Sequence, residues 1–173
     1  MKNITGDKLK IKYKGIFDMQ GLISLVTDWF ESRGYEVLIQ KFKHKTKTFG
    51  FEDELQIKGW LDETELHRIE FIFRLIIWDR TEVEVIVEGQ KKTLMKGRLF
   101  IVINGSIEID PYGRYEGSVF SRALRNFMMN KILFHNMFTI YADRMEYKSL
   151  EIMNCIKEFL DMQSKGKYYK NMW

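Results

Sequence analysis

The sequence predicts an α+β fold: an N-terminal strand and helix, a curved antiparallel sheet of about six to seven strands, and a long C-terminal helical region. Three observations predict it. Residues 51 to 110 alternate apolar and polar side chains almost throughout, the two-residue period of strands with one buried face. Residues 118 to 162 contain no proline or glycine and carry apolar residues at steps of three and four. Between Asp18 and Gly34, a shorter helix has signals at both ends.

Each element follows in order. In KLKIKYKGIF, residues 8 to 17, Leu9, Ile11 and Tyr13 take one face and Lys8, Lys10, Lys12 and Lys14 the other. Asp18 is the expected N-cap of the first helix, with Phe17 and Leu22 as a hydrophobic staple. Leu22, Leu25, Val26, Trp29 and Phe30 make its apolar stripe, and Gly34 suits the left-handed position after its end. A second lysine-bearing strand follows, with Lys41, Lys43, Lys45 and Lys47 alternating around Phe42, His44 and Thr46. Further strands are expected near 52–60, 67–78, 82–88, 93–103 and 106–110. Gly89-Gln90 and Asn104-Gly105 read as hairpin turns, and Asp62-Glu63-Thr64 and Asp79-Arg80-Thr81 as polar breaks. RIEFIFRLIIW is apolar on both parities in its second half, as a central strand covered on both sides would be. The loop DPYGRYEG ends the strand signal.

The helical pattern after Ser118 would run about 68 Å if continuous, at 1.5 Å per residue, whereas a globule of this size has a radius of gyration near 16 Å. It therefore breaks, near His135-Asn136 on the sequence, or protrudes towards a partner. The element order resembles the helix-grip arrangement, in which an antiparallel sheet wraps a C-terminal helix. That likeness is one of topology and transfers no function. A flatter sheet with helices on one face is its rival.

Composition bounds the rest. The chain has 173 residues, 45% hydrophobic and 30% charged, with a net charge of +4, enough apolar material for one domain over 1–163 followed by a basic aromatic tail, 164–173. The charge is partitioned: residues 1–50 carry +5, residues 51–117 carry −5 and residues 118–173 carry +4. One cysteine allows no internal disulfide and no cysteine-rich zinc site. No run approaches a membrane span and the N-terminal residues lack a signal-peptide core, so a cytoplasmic or other reducing compartment is expected.

Chemical motifs are few. The glycines form neither GxGxxG nor GxxxxGK[ST], and His44, His67 and His135 have no metal-ligand spacing, so no cofactor and no metal are expected. Cys155 sits inside an apolar helical pattern without a nearby cation and reads as a packed core thiol. The carboxylate clusters sit at turns or on solvent faces. Tyr112, Arg114 and Tyr115 in the DPYGRYEG loop are candidates for ligand or partner contact.

Two features bear on function. The seam of Phe120, Leu124, Phe127, Phe134, Phe138, Tyr141, Met145 and Ile152 favours a non-enzymatic binding or assembly module, with the sheet as scaffold and the helical region mediating packing, self-association as a homo-oligomer, or a protein partner. The acids Asp143, Glu146, Glu151, Glu158 and Asp161 tell against a membrane-surface helix there. The alternative is nucleic-acid or other polyanion binding through Lys8, Lys10, Lys12, Lys14, Lys41, Lys43, Lys45 and Lys47, which form one patch if their strands are neighbours, with Tyr13, Tyr35 and Phe42 nearby. An apolar small-molecule carrier, or an enzyme with a cavity between sheet and C-terminal helix, is the third reading; enzymatic activity is the less favoured.

Overall fold

The computed structural model describes residues 4–47, 50–87, 90–114, 117–127 and 137–162. The elements are β1 (Ile4–Thr5), β2 (Leu9–Phe17), α1 (Met19–Glu31), β3 (Glu36–Lys47), β4 (Gly50–Thr64), β5 (His67–Val87), β6 (Gln90–Ile109), α2 (Val119–Phe127), a π-helical turn (Met137–Ala142) and α3 (Asp143–Phe159). All strand pairings are antiparallel. β3, β4, β5 and β6 pair in succession, and β1 and β2 both lie along the other side of β6. The first helix therefore carries the chain from one sheet edge to the opposite one. This is the α+β architecture that the element order predicts.

α1 forms where its end signals place it. The Asp18 carboxylate accepts from the Gly21 N–H at 3.0 Å and receives Lys92 at 2.6 Å. These contacts, the Gly21 N–H first, hold the Asp18 carboxyl below its ordinary value. Gly34 adopts φ of 79°, a left-handed conformation that costs glycine nothing, and the chain turns into β3. The buried stripe is Met19, Leu22, Val26, Trp29 and Phe30.

Among the described residues the core lies on one side of the sheet. Leu55 and Ile57 of β4, Ile69 through Ile77 at alternate positions of β5, and Leu99 through Ile109 at alternate positions of β6 are buried beneath α1 and α3. Where a helix side chain meets the sheet most closely, the sheet supplies glycine. A Cβ on Gly59 would lie 2.7 Å from the Phe30 ring, and one on Gly105 would lie 2.7 Å from Met145 of α3.

That second contact corrects the turn expected at Asn104-Gly105. β6 runs straight through both residues, with Phe71 opposite Gly105, and the glycine makes room for a helix instead of reversing the chain. The break expected at Asp79-Arg80-Thr81 is likewise no turn. β5 continues across it with an irregular register between Trp78 and Thr81, and Asp79 takes φ of 56°. The Gly89-Gln90 signal does fall at a hairpin connection, because Val87 pairs with Gln90; residues 88 and 89 lie outside the described residues.

The second apolar parity of β5 is not covered by another layer among the described residues. Ile72, Ile76 and Trp78 are half-buried on the face opposite the helices. No described helix is long and apolar enough to cross a membrane. The proposed break at His135-Asn136, Phe134, Tyr115 and the tail 164–173 lie outside the described residues.

Candidate functional site

The face that no described helix covers is built from cross-strand rows. Lys14, Arg98 and Trp78 stand opposite one another across β2, β6 and β5; Lys12, Phe100 and Ile76 form the next row; Lys10, Val102 and Arg74 the third. Residues directly opposite on one sheet face have Cβ atoms about 5 Å apart, so the β2 lysines border an aromatic and aliphatic surface. Trp78 and Phe100 stack with ring centroids 6.1 Å apart and an interplanar angle of 25°.

The irregularity in β5 shapes the end of this surface. Asp79 receives Arg98 Nε at 2.7 Å and Nη2 at 2.6 Å, and that guanidinium lies 6.0 Å from the Trp78 ring centroid. A groove of about 480 Å³ runs between Lys12, Lys14, Trp78, Arg98 and Phe100. A second hollow, about 670 Å³, continues from Lys14 and Arg98 to Asp79, Thr81 and Lys96. An apolar floor with cations on its walls suits a planar, anionic ligand: the rings offer a stacking surface and the ammonium groups attract phosphate.

The two lysine rows meet different fates. Both point to the uncovered face, and for β3 this depends on a bulge. Leu38 lies opposite Lys58, the register then steps between Ile39 and Lys41, and Lys41, Lys43 and Lys45 come opposite Gln56, Glu54 and Glu52. The rows are not neighbours, however. β6, β5 and β4 separate them, which is about 19 Å at the usual strand spacing. Lys41 pairs with Glu54 at 2.7 Å and Lys45 approaches Glu52 at 3.9 Å. Lys8, Lys10, Lys12 and Lys14 are exposed and have no ion-pair partner among the described residues. The Lys47 side chain lies outside the description.

Of the aromatics expected beside the lysines, Tyr13 lines the groove while its ring packs on Phe17, and Tyr35 and Phe42 are elsewhere. Tyr35 is buried against Trp29, Phe30 and Phe71, where burial, then the charge of Glu63, pushes its phenol above the ordinary range. Tyr13 shares the helix-side parity and packs edge-on to Phe17 at 6.4 Å. Phe42 stands opposite Leu55, on the helix side, beyond the bulge. The aromatics of the lysine face, Trp78 and Phe100, were missed by that expectation. Their signal was present: a second apolar parity in β5 and β6, on the face opposite the one that α1 and α3 cover.

The remaining candidates divide between contacts within the chain and exposure. The Tyr112 hydroxyl donates to Asp62 at 2.6 Å, Arg68 grips the same carboxylate at 2.6 and 3.2 Å, and Arg114 reaches Glu65 at 2.6 Å. Arg68 first, then the Tyr112 hydroxyl, hold the Asp62 carboxyl below its ordinary value. In the helical seam, Met145 and Ile152 are fully buried in the chain's own core and offer nothing to a second molecule. Tyr141 is half-buried against His67, with centroids 5.5 Å apart. Phe120, Leu124 and Phe127 of α2 are exposed. Phe138 falls in the π-helical turn, and its side chain lies outside the description. Cys155 is half-buried and packs against the core.

One further polar cluster was not anticipated. Asp53 is 1% exposed; its Oδ1 lies 2.5 Å from His44 Nδ1, and its Oδ2 lies 3.1 Å from Arg80 Nε in a charge contact not aligned as a hydrogen bond. Phe51 covers it, stacking on His44 at 5.1 Å. This cluster ties β3, β4 and β5 together. No group of histidine, cysteine and carboxylate side chains that could hold a metal ion occurs among the described residues.

No protein-family model matches the chain, and no curated protein matches it in sequence.

Proposed function

We propose that this protein is a non-enzymatic binding module whose sheet face opposite the described helices takes single-stranded nucleic acid. One observation carries the reading: Lys10, Lys12 and Lys14, without acidic partners among the described residues, flank the stacked Trp78 and Phe100 on a surface that no described helix covers. Bases stack on aromatic rings whatever their sequence, and unpaired lysines attract phosphates without a base-reading motif. Duplex is the poorer ligand, because its bases are already stacked and cannot reach the rings. The lysines of β3 contribute less, since two of them are engaged with Glu52 and Glu54.

The test is fluorescence anisotropy with labelled single-stranded and duplex oligonucleotides of equal length. Single strands should bind more tightly, and Trp78→Ala should weaken that binding by about tenfold, within the range of one lost stacking contact. Equal affinity for duplex, or a Trp78→Ala protein that binds as well as the parent, would refute it. Circular dichroism of the variant checks that the sheet is intact.

A further inference from the structure

The helix α2 has no place in the nucleic-acid reading, and its surface is strongly apolar. Val119 is 76% exposed, Phe120 77%, Phe127 58% and Leu124 40%. At i, i+1, i+5 and i+8 these four residues share one side of the helix, and Ser121, Arg122 and Asn126 lie towards the other. The surrounding sequence is free of acids: from Gly117 to Ala142 there is no aspartate or glutamate, while Arg122, Arg125 and Lys131 are present. The acids that argue against a basic amphipathic surface all lie in α3 or just beyond it, at Asp143, Glu146, Glu151, Glu158 and Asp161. α3 is a different surface: it packs on the sheet through Met145, Ile152, Met153 and Ile156, and its Glu151 pairs with Arg33.

From this we infer that α2 docks on the surface of an anionic lipid bilayer, with Phe120, Leu124 and Phe127 entering the boundary between headgroups and acyl chains and Arg122 remaining among the headgroups. The chemistry favours this occupant over a second copy of the chain. The four apolar residues offer about 450 Å², taking about 200 Å² for an exposed aromatic residue, whereas a stable protein interface needs about 800 Å² from each partner. A bilayer has no such requirement: phenylalanine and leucine partition into its interface and anionic headgroups neutralise the arginine. A helix of nine residues, about 13.5 Å long, lies along the interface and does not cross it.

Vesicle co-sedimentation of the full chain tests this, with phosphatidylcholine vesicles against vesicles containing about a third phosphatidylserine, in the range where polybasic segments respond to surface charge. The protein should sediment with the anionic vesicles and far less with the neutral ones. The exposed pair Phe120→Ser/Phe127→Ser should lose most of this binding, and Arg122→Gln should weaken it about fivefold. The Lys10→Gln/Lys12→Gln/Lys14→Gln protein should retain it. Three outcomes overturn the inference: no sedimentation with anionic vesicles at low salt; binding that survives the phenylalanine changes but not the lysine changes, which assigns it to the sheet face; or a dimer in solution that the phenylalanine changes dissociate.

Discussion

Replacing Lys10, Lys12 and Lys14 with glutamine should flatten the salt dependence of single-strand binding, and the size of the change follows from the ion pairing. Arg98, Arg74 and Lys58 on the same face are already engaged with Asp79, Glu54 and Glu70. Lys12, Lys14 and Lys96 line the two hollows and Lys10 stands in the next cross-strand row, and these four have no ion-pair partner among the described residues. For single strands the logarithm of affinity falls with the logarithm of salt at about 0.7 per phosphate neutralised, so four lysines predict a slope near −2.8 and a loss of about fiftyfold between 50 and 200 mM salt. With Lys96 alone remaining, the slope should be near −0.7 and the loss about threefold. Anisotropy titrations at four or five salt concentrations measure both slopes. A triple variant that keeps the parental slope would show that phosphate is neutralised elsewhere, and the assignment to this face would be wrong. Because the three side chains are exposed and have no ion-pair partner among the described residues, their removal should leave the unfolding free energy from urea denaturation within about 0.5 kcal/mol of the parent.

Three other outcomes follow from the packing and titration of particular groups. Gly59→Ala should destabilise the protein by about 1–3 kcal/mol in urea denaturation, because the Phe30 ring that the new methyl meets at 2.7 Å is itself hemmed in by Trp29, Tyr35 and Phe71; a neutral result, or no relief from adding Phe30→Leu, would contradict the contact. Asp62→Asn should cost about 0.5–1 kcal/mol at pH 7, discounted for partial exposure. The Asp62 carboxyl is held below its ordinary 3.8, so its contribution is complete above that pH and is lost as pH falls through the lowered folded value; a difference that persists in strong acid would refute it. His67 is buried, with Nδ1 3.0 Å from the Thr64 hydroxyl and Nε2 without a hydrogen-bond partner among the described residues, and burial holds its pKa below 6.5. The unfolded chain therefore takes up a proton that the folded one refuses, and stability falls as pH drops below 6.5. His67→Phe should reduce that fall between pH 7 and pH 5, and an unchanged pH profile would count against it.

Much of the fold was legible because local physics and tertiary structure agree. Asp18, the Leu22 to Phe30 stripe and Gly34 mark α1 by capping and periodicity, and the long alternating runs mark the sheet. The errors share one cause. A polar or glycine-containing tripeptide reads as a turn when only its own residues are considered. At Asn104-Gly105 the absent side chain accommodates Met145, and at Asp79 a bulge bends a strand that continues. The lysine rows show the same limit. Their alternation predicts a face, but a single register step at Ile39 and Lys41 decides which face β3 presents, and strand order decides how far apart the rows lie.

The sequence alone determined the α+β class, the first helix with its caps, the lysine alternation and the acid-free stretch around α2, since each depends on neighbours along the chain. Only the tertiary structure decided what those features face. It set both lysine rows on the side of the sheet opposite the described helices, joined Trp78 from β5 to Phe100 from β6 beside the β2 row, and divided the apolar seam between a buried α3 and an exposed α2. The physical reason is that pairing strands distant in sequence and packing helices on one face are long-range choices, and no local period specifies which of two apolar faces will be the one left in water.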